Sequence, residues 1–165
     1  MNIGLNITEV KTAAQGAAFR LGTLMRLDDY DTAGTVEFIY ATTSEAVTGA
    51  GYLCVLNSAN IAEMADTAST AGGAGQGMRV GAAQAAIASG GFGWLQVYGK
   101  GSLRTLASAA QGTQLTCSAT AGAVDDATTA GLEVIDGLSL GTATAGAPAT
   151  NTDAYFNYPS VGRTL

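Results

Sequence analysis

From Met78 onward, short apolar segments return between glycine-bearing turns at roughly 8–15-residue spacing, the rhythm of an all-β sandwich or barrel. The segments are residues 78–87, 92–98, 103–107, 113–118, 132–140 and 153–158. Within residues 92–98 (FGWLQVY) the faces alternate cleanly, with Phe92, Trp94, Gln96 and Tyr98 on one side and Leu95 and Val97 on the other. Upstream, residues 35–43 (TVEFIYATT) are rich in β-branched and aromatic side chains and predict a strand, as do residues 19–27 and the short apolar run 52–56. Asp28-Asp29-Tyr30-Asp31 predicts a turn, because Asp side chains bond their own backbone there. Residues 60–68 predict a helical turn or two, with Ile61 and Met64 on one face and Asn60 as a cap. Residues 69–77 (STAGGAGQG) read as a loop, and residues 82–88 (AAQAAIA) are helix-permissive, the weakest stretch for a strand. The expected fold is mainly β, a small β-barrel or β-sandwich with an extended N-terminal arm and at most one or two short helices. The arm is residues 1–18, polar and without period, ordered on a partner. Residues 19–165 form the β-rich body, with a sub-boundary near 69–77.

Composition narrows the function. The 165-residue chain has 23 glycines, 47% hydrophobic and only 12% charged residues, so it is neither a solvated disordered chain nor a highly charged one. Its net charge of −6 is uneven: residues 1–26 carry +2, residues 27–75 carry −7 with no base at all, and the remainder carries −1. An acidic middle disfavours nucleic acid, whose phosphates need a basic stripe. The slightly basic start, with Lys11 and Arg20, suits an acidic partner surface. No apolar run approaches the roughly 18 residues that span a bilayer. The first fifteen residues lack the basic head and apolar core of a signal peptide, so the Asn6-Ile7-Thr8 sequon is expected to stay unmodified in a cytosolic chain. Cys54 and Cys117 lie far apart without CxxC spacing; a single disulfide is open on counting alone, but a reducing cytosol favours two small buried hydrophobes.

Catalytic constellations are hard to assemble from these residues. There is no His, which removes the usual zinc sets and the commonest general base. Lys11 and Lys100 sit in no recognisable nucleophile motif. Gly99-Lys100-Gly101-Ser102 fails as a P-loop, which needs Ser or Thr after the Lys and a Gly five positions before Gly99, where Gly101 and Trp94 stand. Gly72 to Gly77 lacks the strand and the distal acid of a dinucleotide fingerprint. The doublets Asp28-Asp29 and Asp125-Asp126 sit beside turn signals, and Asp28, Asp29 and Asp31 lack the Gly and distal Glu of an EF-hand. The chain therefore reads as non-enzymatic, without cofactor or metal.

The order of segments in residues 77–160 carries a resemblance. Residues 79–87 (RVGAAQAAI) are followed by 90–99 (GGFGWLQVYG), a strand at 103–107, Gly112-Thr113-Gln114-Leu115, residues 120–126 (TAGAVDD) and Phe156-Asn157-Tyr158-Pro159. That grammar resembles the capsid decoration, or cement, proteins of tailed bacteriophages, although Phe92 stands where the family has Tyr. The resemblance implies a structural virion protein on the capsid exterior, made in the host bacterial cytoplasm, with the major capsid protein and its own copies as partners, often a homotrimer at local threefold positions. It implies no nucleic-acid or membrane partner. For such a role the expected interface anchors are Phe92, Trp94, Tyr98, Tyr155, Phe156 and Tyr158, with Lys11 in the arm and Arg20 just after it. The alternative reading is another virion component, such as a major capsid subunit, head fibre or tail protein; a major capsid subunit ordinarily has a longer chain with a long spine helix, and none is visible here.

Overall fold

The computed structural model describes residues 6–29, 34–71, 75–144 and 149–165. The fold is mainly β, with no α-helix among the described residues. In chain order the strands are β1 (Leu24–Asp29), β2 (Gly34–Thr43), β3 (Leu53–Leu56), β4 (Ile61–Met64), β5 (Arg79–Ala83), β6 (Phe92–Thr105), β7 (Thr116–Cys117), β8 (Val124–Asp125), β9 (Glu133–Leu140) and β10 (Thr150–Thr164).

Strand pairing closes on itself twice. One ring runs β2–β4–β3–β5–β6 and back to β2; the other runs β6–β8–β7–β9–β10 and back to β6. Most pairs are antiparallel, the exceptions being β2–β4 and β6–β8. β6 belongs to both rings, which a strand of 14 residues is long enough to do. The expected segments 92–98 and 103–107 are its two halves, joined through Gly99, whose φ of +89° turns the chain from one ring to the other. The register slips between Glu37 and Phe38 of β2 just where this happens.

β3 and β5 form a wall between two cores. Because side chains alternate, Leu53 and Val55 face one way and Cys54 and Leu56 the other, and all four are buried. Val80 and Ala82 join the first side, with Leu103, Leu115, Val124, Ile135, Ala154 and Phe156; Ala83 joins the second, with Ile39, Ala41, Ile87, Leu95 and Val97. A strand covered on both faces reads as a continuous apolar run, which is why LCVL is legible. These pairings cross the expected boundary at 69–77, since β3 ahead of it bonds β5 behind it.

Three local expectations are corrected. Residues 60–68 are not helical: Asn60 takes a φ of +58° in a turn closed by Asn60 N–H to Asn57 O (3.0 Å), and Ile61–Met64 then return antiparallel along β3. The Asn57 carboxamide accepts the N–H groups of Ala59 and Ile61, so side-chain competition favours the turn over a helix start. The strand expected from Phe19 starts only at Leu24, because Thr23 bonds back to Arg20 O through both its N–H and its hydroxyl. Asp28 and Asp29 end β1, and Tyr30 and Asp31 of that expected turn lie outside the described residues.

Candidate interface surfaces

Two surfaces gather the side chains singled out from the sequence. The first lies on the outer face of β2 and β6. There Val36, Phe38, Tyr40 and Trp94 point away from the ring interior and would face water without a cover. The chain's own start supplies it. Lys11 and Phe92 exchange both main-chain hydrogen bonds (3.0 and 2.8 Å), Ala18 N–H donates to the Tyr40 hydroxyl (3.1 Å), and Ile7 and Leu21 pack alongside. The Phe19 ring sits 5.3 Å from Tyr40 and 5.2 Å from Trp94, within the range of favourable aromatic pairs. Residues 6–18 are thus a series of turns laid on the body, not an extended strand. Gly91 makes room for them, since a Cβ there would lie 3.0 Å from Lys11 O, whereas one on Gly93 would run into Ile87 of the body at 2.6 Å. A small cavity of about 220 Å³ remains under the arm, lined in part by Glu9, Lys11, Phe19 and Trp94.

The second surface lies across β6 and β10. The Tyr98 and Tyr158 rings stack 5.1 Å apart at 29°, and the Tyr158 hydroxyl donates to Glu37 Oε2 (2.8 Å). That hydrogen bond holds the phenol proton and pushes the Tyr158 pKa above the ordinary tyrosine value. Tyr155 and Tyr158 remain 52% and 50% exposed. Tyr98 and Tyr155 line a shallow open groove of about 490 Å³ together with Thr35, Lys100 and Asn157. Lys100 is paired with Asp153 (2.9 Å), which raises its pKa, so the groove's rim is charge-balanced. Large amphipathic rings beside a polar rim are the composition of a recognition surface.

The expected anchors therefore separate. Tyr98, Tyr155 and Tyr158 come together on the surface. Phe156 is interior, because β10 alternates and its even-numbered neighbours Ala154 and Phe156 face the core shared with β9. Trp94 is 3% exposed, closed over by Phe19 and Tyr40, and is an intramolecular anchor for the arm. Phe92 is half-buried and bonded to Lys11, whose ammonium pairs with Glu9. Arg20 is exposed in the turn before β1. Glu37 joins the surface without a motif to announce it; its position opposite Tyr98 in the β2–β6 register is its only signal, and that register is tertiary.

The chemistry available elsewhere is limited. Burial pushes the Cys54 thiol up to about 12 and the Cys117 thiol up to about 11, so both stay protonated at neutral pH, and both are free. Asp126 accepts the Ala110 N–H (3.0 Å) and Asp125 accepts the Asp126 N–H (2.9 Å), which makes that doublet a loop brace. Asp28 accepts from the Thr35 hydroxyl (2.9 Å). Among the described residues no group of three or more Cys, Asp or Glu is placed to hold a metal ion. Compared with known proteins, the chain matches no family model, no curated protein and no solved structure.

Proposed function

We propose that this chain is a structural virion protein that binds the outer surface of a tailed-bacteriophage capsid, as trimers at local threefold positions, and stabilises the mature shell. The observation that carries the reading is the tyrosine surface built on β6 and β10, with Tyr155 and Tyr158 exposed beside the half-buried Tyr98. Its three tyrosines lie within residues 77–160, the stretch whose order of segments resembles decoration proteins. A protein that binds the expanded shell but not its free subunits stabilises that shell by mass action. Many modest contacts across a lattice add through effective concentration. A body whose strands close into rings has little open edge to aggregate when displayed at high density. The start of the chain adds footprint through Val10 in the arm and Arg20 just after it, which stay exposed while Phe19 packs on Trp94.

The test is co-sedimentation of the purified chain with unexpanded and expanded heads of the phage that carries its gene, followed by imaging of the particles. Saturable binding to the exterior of expanded heads, with a higher melting temperature of the particles, is expected. Replacing Tyr155 and Tyr158 together by Ala lowers occupancy by roughly tenfold or more. Removing residues 1–18 lowers occupancy further if the arm clamps the shell. Copies located inside the head or in the tail, or occupancy indifferent to both changes, would overturn the proposal.

A further inference from the structure

The closure of the two rings leaves one opening. Among the described residues β1 is the one strand bonded to a single neighbour, β2; every other strand has at least two. The bonded side of β1 follows from its register. Tyr40 N–H donates to Thr23 O (2.9 Å), and the pairing continues from Leu24↔Ile39 to Asp29↔Gly34. In an antiparallel ladder bonded pairs alternate, so the odd-numbered positions bond β2 and the N–H and C=O groups of Leu24, Arg26 and Asp28 face away from it. No main-chain hydrogen bond from another described segment reaches them. The side chains of these residues are open as well: Leu24 is 54% exposed, and the Arg26 and Asp28 side chains, which pair with each other at 3.5 Å within one copy, are 64% and 73% exposed.

We propose that this edge pairs antiparallel with the same edge of a second copy, about a twofold axis through Leu27. Charge selects the register. With Leu27 opposite Leu27, Arg26 of each copy faces Asp28 of the other, so the contact is self-complementary twice over. A two-residue slip in one direction sets Arg26 against Arg26, and in the other sets Asp28 against Asp28, both destabilising. A one-residue slip puts side chains from opposite faces across from one another and loses the ladder. The paired edges form about four main-chain hydrogen bonds. That is smaller than a standard interface, so the dimer is weak and concentration-dependent. The inference does not rest on the capsid reading: the axis is twofold, whereas a trimer uses other surfaces, and on a shell the edge would join neighbouring trimers.

Sedimentation equilibrium of the full chain over a wide concentration range tests it. The wild type should show a reversible twofold association beyond any trimer. Arg26→Asp and Asp28→Arg, each alone, should weaken that step at least tenfold, with Trp94 emission unchanged as a check on folding. An equimolar mixture of the two variants places opposite charges across both positions again and should restore association, as should both changes in one chain. A wild type without the twofold step at the highest concentration, or single variants that associate as the wild type does, would overturn the proposal; the latter would mean that Arg26 and Asp28 only keep the edge bare. Capsid binding can fail or succeed independently of every one of these outcomes.

Discussion

Gly99→Ala probes the device that lets β6 serve two rings. Gly99 has a φ of +89°, a conformation that costs a side-chain-bearing residue about 1–2 kcal/mol. An added Cβ would also run into the Thr35 carbonyl oxygen and lie 2.8 Å from Val36 Cγ1 and 3.0 Å from Val36 Cα. Two of those three atoms are β2 main chain, in residues paired to β1 and adjoining Glu37, where the pairing with β6 begins, so relieving the overlap means parting β2 from β6, at about 1–3 kcal/mol. Together the costs come to about 2–5 kcal/mol. For a chain of 165 residues that corresponds to a fall in melting temperature of roughly 4–20 °C. Gly112→Ala is the matched control, since Gly112 has a φ of +77° and a Cβ there would meet nothing within 4 Å, so only the backbone cost applies. Urea unfolding followed by emission of the single tryptophan gives both free energies. If Gly99→Ala proves no less stable than Gly112→Ala, the close approach of β2 is not what excludes a side chain there, and the reasoning fails.

Further outcomes follow from the same geometry. Phe19→Ala uncovers Trp94, so its emission should shift to the red with a loss of about 1–3 kcal/mol in stability; unchanged emission would show that the arm does not close over the indole. The buried thiols make the fold alkali-sensitive. Their folded pKa values lie above the ordinary 9.0, so their contribution is complete below pH 9 and is lost as pH rises toward about 11 for Cys117 and about 12 for Cys54, at about 1.4 kcal/mol per pH unit for each thiol. Cys54→Ala should flatten the fall in unfolding free energy between pH 9 and 11, and an unaltered slope would count against it. Tyr158→Phe removes the tyrosine whose proton the Glu37 bond holds; spectrophotometric titration should lose a component above the ordinary tyrosine value, and a titration curve that keeps it would refute the Glu37 bond as the cause.

The legible strands are those whose own residues settle the matter. β2 and β3 are β-branched or apolar runs, and β9 and β10 keep a recognisable alternation. The two-residue strands β7 and β8 are different. Val124–Asp125 has no period of its own and becomes a strand only because Thr105 lies parallel to it and Cys117 antiparallel. The helical expectation for residues 60–68 fails for a related reason. Ile61 and Met64 are spaced for a helix, yet three residues pairing with β3 and the pairing of Ile61 with β2 outweigh a weak local preference. At the candidate surfaces the alternation of FGWLQVY correctly divides Trp94 from Leu95 and Val97. It gives no means of knowing that the Trp94 side is covered by the arm, because the cover comes from residues more than seventy positions earlier.

The amino-acid sequence by itself determined the all-β class, the glycine punctuation and the absence of histidine chemistry, because turn preference, strand propensity and composition are local properties. Which aromatic rings meet solvent was decided only by tertiary structure. Strict alternation would put Trp94 and Tyr98 on one face, yet the register slip sets Trp94 opposite Tyr40, beneath Phe19, and Tyr98 opposite Glu37, stacked on Tyr158. The physical reason is that alternation sorts side chains into two faces, while burial depends on what the closed rings and the returning arm place over each face. The open edge at β1 has the same origin: no property of residues 24–29 says that every other described strand will find a second partner.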